Sequence, residues 1–321
     1  MRTVTGIWHI DRAGRALGTL LILLEELNIQ RQIHAVDSVD LLIMGETGEL
    51  TKDIPLEYDG PHASLARLLL PENGRLPPLL VALRSMSGLS NIFVYLDDDG
   101  RGCIESPFGA DTVVWPDFEA LKLGTHNYDS TRVVQAYHAQ CGSIPRLSVT
   151  AELLGRAKAF LQASAKGRLP IAVHLKYNAN LVGQSNADID AWRAFVRDCH
   201  NAYPVHFVLV GDDASNARFR GMPNVTVACD HDFHIGGHLA LIQASPVFMG
   251  MMSGPANMAL LGENPYLIFK NPDHHAEEMQ AELGDHDRYS FASPHQRVLR
   301  HWDSEDALHD AFGDLYREIA S

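Results

Sequence analysis

Cysteine is scarce in this chain and never closely spaced. Cys103, Cys141, Cys199 and Cys229 form no CxxC pair. Neither a disulfide framework nor a thiolate zinc site has its signature here, and the four read as reduced thiols of a cytosolic protein. Positive charge is also short, with 26 Lys and Arg against 40 Asp and Glu and a formal net charge of −14. A surface that tracks nucleic-acid phosphates needs clustered Lys and Arg, so nucleic acid is not an expected partner. A small anionic ligand in a locally basic site stays compatible. The apolar run LGTLLILLEEL is broken by Glu25 and Glu26 before it could span a bilayer. The opening MRTVTGIWHIDRAG has neither the apolar core nor the cleavage site of a secretory signal. The expected location is the cytoplasm, its inner-membrane face included. No GxSxG or HExxH occurs, and the loop containing Gly14 is far from a dinucleotide fingerprint.

What is present is an ordinary globular composition, 46% hydrophobic and 21% charged over 321 residues. That length suits two domains. A strand over 4–10, a polar loop at 11–15 and a helix over 16–27 open an irregular α/β half. It continues through a short strand at 112–115 and helices over 131–141 and 151–163. After a break at 165–168 the alternation becomes regular. Strands are expected at 171–175, 205–210, 225–228, 246–251 and 266–269, with helices over 188–201, 236–244 and 304–319. Repeated β-α alternation predicts a doubly wound parallel sheet in the second half. The expected domains are therefore 1–164 and 165–321.

The stretch VFMGMMSGPANMALLG reads as a buried strand, a tight Ser253-Gly254 turn and a short helix opening at Pro255 and stopped by Gly262. Backbone N–H groups at such a start suit a phosphate or carboxylate, and the Ser253 hydroxyl adds a donor. In open parallel sheets ligands sit outside the carboxyl ends of the strands. Those ends carry Lys176, Gly211 with Asp212, Asp230 with His231, Ser253 with Gly254, and Lys270. Other clusters read as scaffold. Asp97-Asp98-Asp99 is a solvated strand end, Asp230 to His234 with His238 is a polar loop, and His274-His275 with Glu277 and Glu278 opens an exposed helix. No metal site is expected.

The order VHLK, helix, FVLVGDD, LALIQASPVFMGMMSGPANMALLG and PYLIF resembles the GT-B glycosyltransferases. It is most similar to bacterial surface-polysaccharide enzymes of heptosyltransferase-like and fucosyltransferase-like kinds. The resemblance implies two Rossmann-like domains facing a cleft, with a nucleotide-diphosphate sugar on the C-terminal one and a glycan or lipid-linked acceptor on the N-terminal one. It implies a metal- and cofactor-independent transfer. Ser253, Gly254, Pro255 and the N–H groups near Asn257 would hold phosphate, with Lys176 supplying charge and His174 and Arg12 completing the donor set. Gly211 and Asp212 would lie near base or ribose. Asp11 or His9 would take the acceptor proton, with Arg12 and Arg15 keeping Asp11 ionised. The fucosyltransferase pattern is arginine-rich where this chain has Lys176. Heptosyltransferase-like enzymes carry a charged or aromatic residue in place of Ala256-Asn257, so the donor sugar does not carry over. The alternative is a sugar-nucleotide-binding protein without transfer, epimerase-like or regulatory.

Overall fold

A computed structural model describes residues 3–13, 16–44, 56–57, 65–68, 78–95, 112–177, 185–211 and 213–320. The chain forms two compact units, Met1–Leu147 and Ser148–Ser321. In the first, β1 (Thr3–His9), β2 (Ser38–Met44), β3 (Leu56–Glu57), β4 (Leu65–Leu68), β5 (Leu89–Tyr95) and β6 (Thr112–Trp115) make one sheet. Its order is β3-β4-β5-β2-β1-β6. The last four of these neighbours are parallel, while β3 and β4 add an antiparallel edge. Helix Leu17–Ile33 packs against β1 and β2. It runs well past residue 27 because Ile29 and Gln30 are buried too. A short helical turn, Ile10–Ala13, occupies part of the expected polar loop.

The second unit is the regular one. Strands β7 (Leu169–His174), β8 (Val205–Val210), β9 (Val225–Val227), β10 (Val247–Met251), β11 (Tyr266–Phe269) and β12 (Gln296–Leu299) pair in the order β12-β11-β10-β7-β8-β9. All are parallel. β10 and β11 are apolar throughout and β8 is apolar but for His206, and all three are buried at every residue, as strands covered on both faces require. Helix Ile189–Ala202 starts at Asp188, whose carboxylate accepts from the N–H groups of Asp190 and Ala191. It turns Trp192, Phe195, Val196 and Cys199 onto the sheet, where Phe195 meets Phe207 and Phe312 edge-on. The indole N–H of Trp192 donates to Asp303 at 2.7 Å, so the burial leaves that group paired.

Two expectations are corrected here. The units divide at 147/148 and not at 164/165, because helix Ala151–Ala165 packs on helix Ile235–Ala244 and on β7 and β8 of the second unit. Its Ala157, Leu161 and Ala165 are buried there. The edge strand β12 went unpredicted, since four residues with alternating burial carry little periodic signal. Among the described residues no helix is long and apolar enough to cross a membrane.

Candidate functional site

Each sheet reverses its direction of growth beside its first strand. In the second unit β8 and β9 lie on one side of β7, and β10 to β12 on the other. The crevice at the carboxyl ends of β7 and β10 is therefore the topological switch point, where ligands of open α/β sheets sit. In register, Gly250 pairs with His174. A Cβ at Gly250 would stand 2.3 Å from the His174 carbonyl oxygen, so only glycine admits this close approach. The His174 ring is then held from two sides. Ser253 Oγ lies 2.9 Å from its Nδ1, and Gly211, at φ +109°, brings bare backbone against Cδ2 and Nε2.

Next to this crevice the sheet edge is basic. Lys176 follows β7, and its carbonyl accepts from Ala187 N–H, which fixes the chain as it returns. Lys270 follows β11, is only 8% exposed, and sets its Nζ 2.8 Å from His274 Nδ1. Burial lowers the pKa of Lys270 to about 8, helped by the nearby charge of Lys176 and opposed by Glu278. Burial also lowers Lys176. His274 falls to about 4 through burial and then the charges of Lys270, His275 and Lys176. At neutral pH, then, the Lys270 ammonium donates to a neutral imidazole. Two like charges share one sheet edge, an arrangement that an added anion relieves.

The first unit has its own switch point, between β1 and β6. A cavity of about 360 Å³ there is lined by Arg12, Ala120, Leu121, Lys122, Leu123, Gly124, His126 and Tyr128. Behind it, Trp115 Nε1–H donates to Glu26 Oε2 at 2.7 Å, and His126 Nε2 lies 3.4 Å from the same oxygen. Tyr128 donates to the Ile7 carbonyl at 2.8 Å, tying this loop to β1.

Of the residues expected in the site, His174, Gly211 and Ser253 meet at the second switch point, with Lys176 on the same edge and Gly254 and Pro255 next in the turn. The Asn257 N–H, expected to face phosphate, donates instead to the Gly254 carbonyl at 3.2 Å. The helix that follows, Ala256–Leu260, is five residues long. Arg12 lines the cavity of the first unit. His9 is 4% exposed within β1 and is a core residue. Asp212 and the side chain of Asp11 lie outside the described residues, as do Asp97 to Asp99 and Cys103. Asp230 is held bidentate by Arg220 at 2.9 and 2.6 Å, which makes it a surface ion pair. The sequence reading missed His274, taken for part of an exposed helix start, and the whole Glu26–Trp115–His126 group. One signal for the latter existed, namely two acids inside an otherwise apolar helix.

No protein-family model matches the chain, and no curated protein matches it in sequence. Solved structures do, and the fold they share with it is that of the GT-B glycosyltransferases. The glycosyl transferase family 9 protein of Veillonella parvula superposes with a TM-score of 0.59 at 11% identity, over 98% of this chain and 97% of that one. The ADP-heptose LPS heptosyltransferase II of E. coli gives 0.56 at 12% identity, covering 100% of both chains. The fucosyltransferase NodZ of Bradyrhizobium reaches 0.39 at 13% identity, over 82% and 94%, too slight a likeness to bear on the fold.

Proposed function

We propose that this protein is a cytoplasmic glycosyltransferase that moves a sugar from a nucleotide-diphosphate sugar to a glycan or lipid-linked acceptor, without a bound metal or other cofactor. The observation that carries the reading is the pair Lys176 and Lys270 with His274 at the second unit's switch point. When the bond from sugar to diphosphate breaks, the leaving oxygens gain charge. Ammonium groups fixed beside them bind that charge more strongly in the transition state than before it. In this reading Lys176, Lys270, Ser253, Gly254 and Pro255 hold the diphosphate, His174 orients Ser253, and Asn257 faces the site through its side chain. Gly211 and Asp212 lie beside base or ribose. The first unit takes the acceptor near Arg12 and Asp11, the carboxylate two residues past the end of β1.

The test is a melting series with the nucleoside diphosphates of uridine, guanosine, adenosine and cytidine, each with a chelator present. A ligand at ~100 times its Kd adds ~2.7 kcal/mol. One of the four should raise the melting temperature by several degrees, and the matching nucleotide sugar should then release nucleotide faster when acceptor is added. Flat melting curves for all four at millimolar concentration would remove the donor site. Conversion of the donor without net nucleotide release would mean an epimerase-like protein.

A further inference from the structure

Glu26 lies in the middle of helix Leu17–Ile33 with no solvent exposure at all. Its Oε2 accepts from the Trp115 indole, and among the described residues its Oε1 is buried without a hydrogen-bond partner. Leaving a buried carboxyl half satisfied costs ~1–3 kcal/mol. Holding Trp115 in place needs no acid, because a glutamine would accept the same bond. The second observation is the neighbour. His126 lines the first unit's cavity, while its Nε2 edge is buried 3.4 Å from Glu26 Oε2. Trp115 and Tyr128 meet its ring edge-on at 5.9 and 4.6 Å and fix its plane. With Nε2 turned inward, Nδ1 is the nitrogen left to the cavity side.

We propose that His126, backed by Glu26, is the proton acceptor of the transfer reaction. This rests on the transferase reading above and takes the base role from Asp11. As the acceptor oxygen bonds to the anomeric carbon, its proton passes to His126 Nδ1. The anomeric bond to the diphosphate breaks, and its electron pair leaves with the diphosphate. Glu26, ionised, then faces the imidazolium through Nε2–H, and the proton returns to water afterwards. His126 touches substrate in this scheme, while Glu26 is a positioning residue acting through it.

Burial places the two groups so that the pair is sensitive to pH. Desolvation raises Glu26 to about 8, with the Trp115 bond opposing, and lowers His126 to about 4, with Asp117 opposing. Other charged or titratable groups face the pair. Tyr128 is raised by burial and feels both Glu26 and Arg12. Lys122 and Arg12 line the cavity, and His9 is buried at the end of β1. Glu25, on the same helix, accepts from Arg146 N–H at 2.8 Å. The competent form has Glu26 ionised and His126 neutral, so turnover rises with pH through about 8.

The experiment takes the full chain with the nucleotide sugar whose nucleoside diphosphate stabilises it most, water serving as acceptor, and measures nucleotide release. His126→Gln and Glu26→Gln should keep nucleoside-diphosphate affinity within about twofold. His126→Gln should lose about a hundredfold or more in turnover, within the usual reach of a positioned base. Glu26→Gln should lose the rise with pH. Near wild-type turnover in His126→Gln, or loss confined to Asp11→Asn, overturns the assignment while the transferase reading stands. A wild type that binds diphosphate and never turns over sinks both. Should the variants fail to fold, nitrogen NMR of the wild type decides. The assignment requires, above pH 9 where Glu26 is ionised, a neutral His126 with its proton on Nε2, and a proton on Nδ1 there overturns it.

Discussion

The switch point of the first unit sets a buried carboxyl against a neutral imidazole, whereas that of the second crowds two ammonium groups beside another neutral imidazole. Desolvation is the largest cause of every shift involved, raising Glu26 and lowering His126, Lys270 and His274. What differs is how each group can be relieved. Glu26 and His126 would carry charges of opposite sign, so when a proton moves between them each offsets the other. Lys176 and Lys270 share a sign, so no proton exchange between them helps, and relief has to arrive as an anion. An internally compensated site suits proton transfer. A site of one sign suits a charged ligand.

The largest expected effect breaks the second switch point outright. Gly250→Ala puts a methyl 2.3 Å from the backbone oxygen of His174, which cannot swing away. A loss of ~3 kcal/mol or more is expected in chemical denaturation. Gly155→Ala is the control, because nothing lies within 4 Å of its added Cβ and a helix interior favours alanine by ~1 kcal/mol. Equal midpoints for Gly250→Ala and wild type would mean that β7 and β10 are not this close.

Next in size, Lys270→Met and Lys176→Ala should each weaken nucleoside-diphosphate binding by about tenfold to a hundredfold, the worth of a charge-assisted hydrogen bond of ~1.5–3 kcal/mol. Lys270 should also sharpen the contrast through pH. Its free pKa is about 8 and a bound anion raises it, so binding takes up a proton near pH 8 and weakens as pH climbs further. Calorimetry in two buffers of different ionisation enthalpy reads that uptake. An uptake that persists in Lys270→Met would assign it to another group.

A smaller effect tests the first switch point without any substrate. An acid whose folded pKa is raised holds a proton that the unfolded chain releases, so stability falls as pH rises from about 4.5 to about 8. Glu26→Gln removes that loss while Glu25, raised to about 7, remains in both proteins. The melting advantage of Glu26→Gln over wild type should therefore widen from pH 5 to pH 8.5, by at least about 1 kcal/mol or a few degrees. A constant gap would show that Glu26 ionises as readily inside the fold as outside it.

Ser253→Ala is expected to do least. It deletes one neutral hydrogen bond to His174, worth ~1 kcal/mol, while Gly211 still backs the ring. Diphosphate affinity should fall by less than about tenfold, as titration calorimetry would record. A larger loss would make the Ser253 hydroxyl as strong a diphosphate contact as the lysines.

Local signals in the sequence reached far into the second unit. The apolar run of β8 is bounded where alternation placed it, the Ser253-Gly254 turn follows β10, and Lys176 and Lys270 stand at strand ends. Strand, turn and helix starts are written over a few neighbouring residues, so such features survive without the fold. The first unit was less legible because β3 and β4 are short. Its helix also hides two acids in a pattern that reads as plain core.

By itself the sequence determined the α/β class, the parallel second sheet and the basic residues on its carboxyl edge. Only the tertiary structure decided which of these meet. Trp115 and Glu26 are 89 residues apart, and His174 and Ser253 are 79 apart. Those meetings depend on β6 returning beside β1 and β10 returning beside β7. Strand order is settled by long-range packing and loop closure, and side-chain periodicity, being local, carries no record of it.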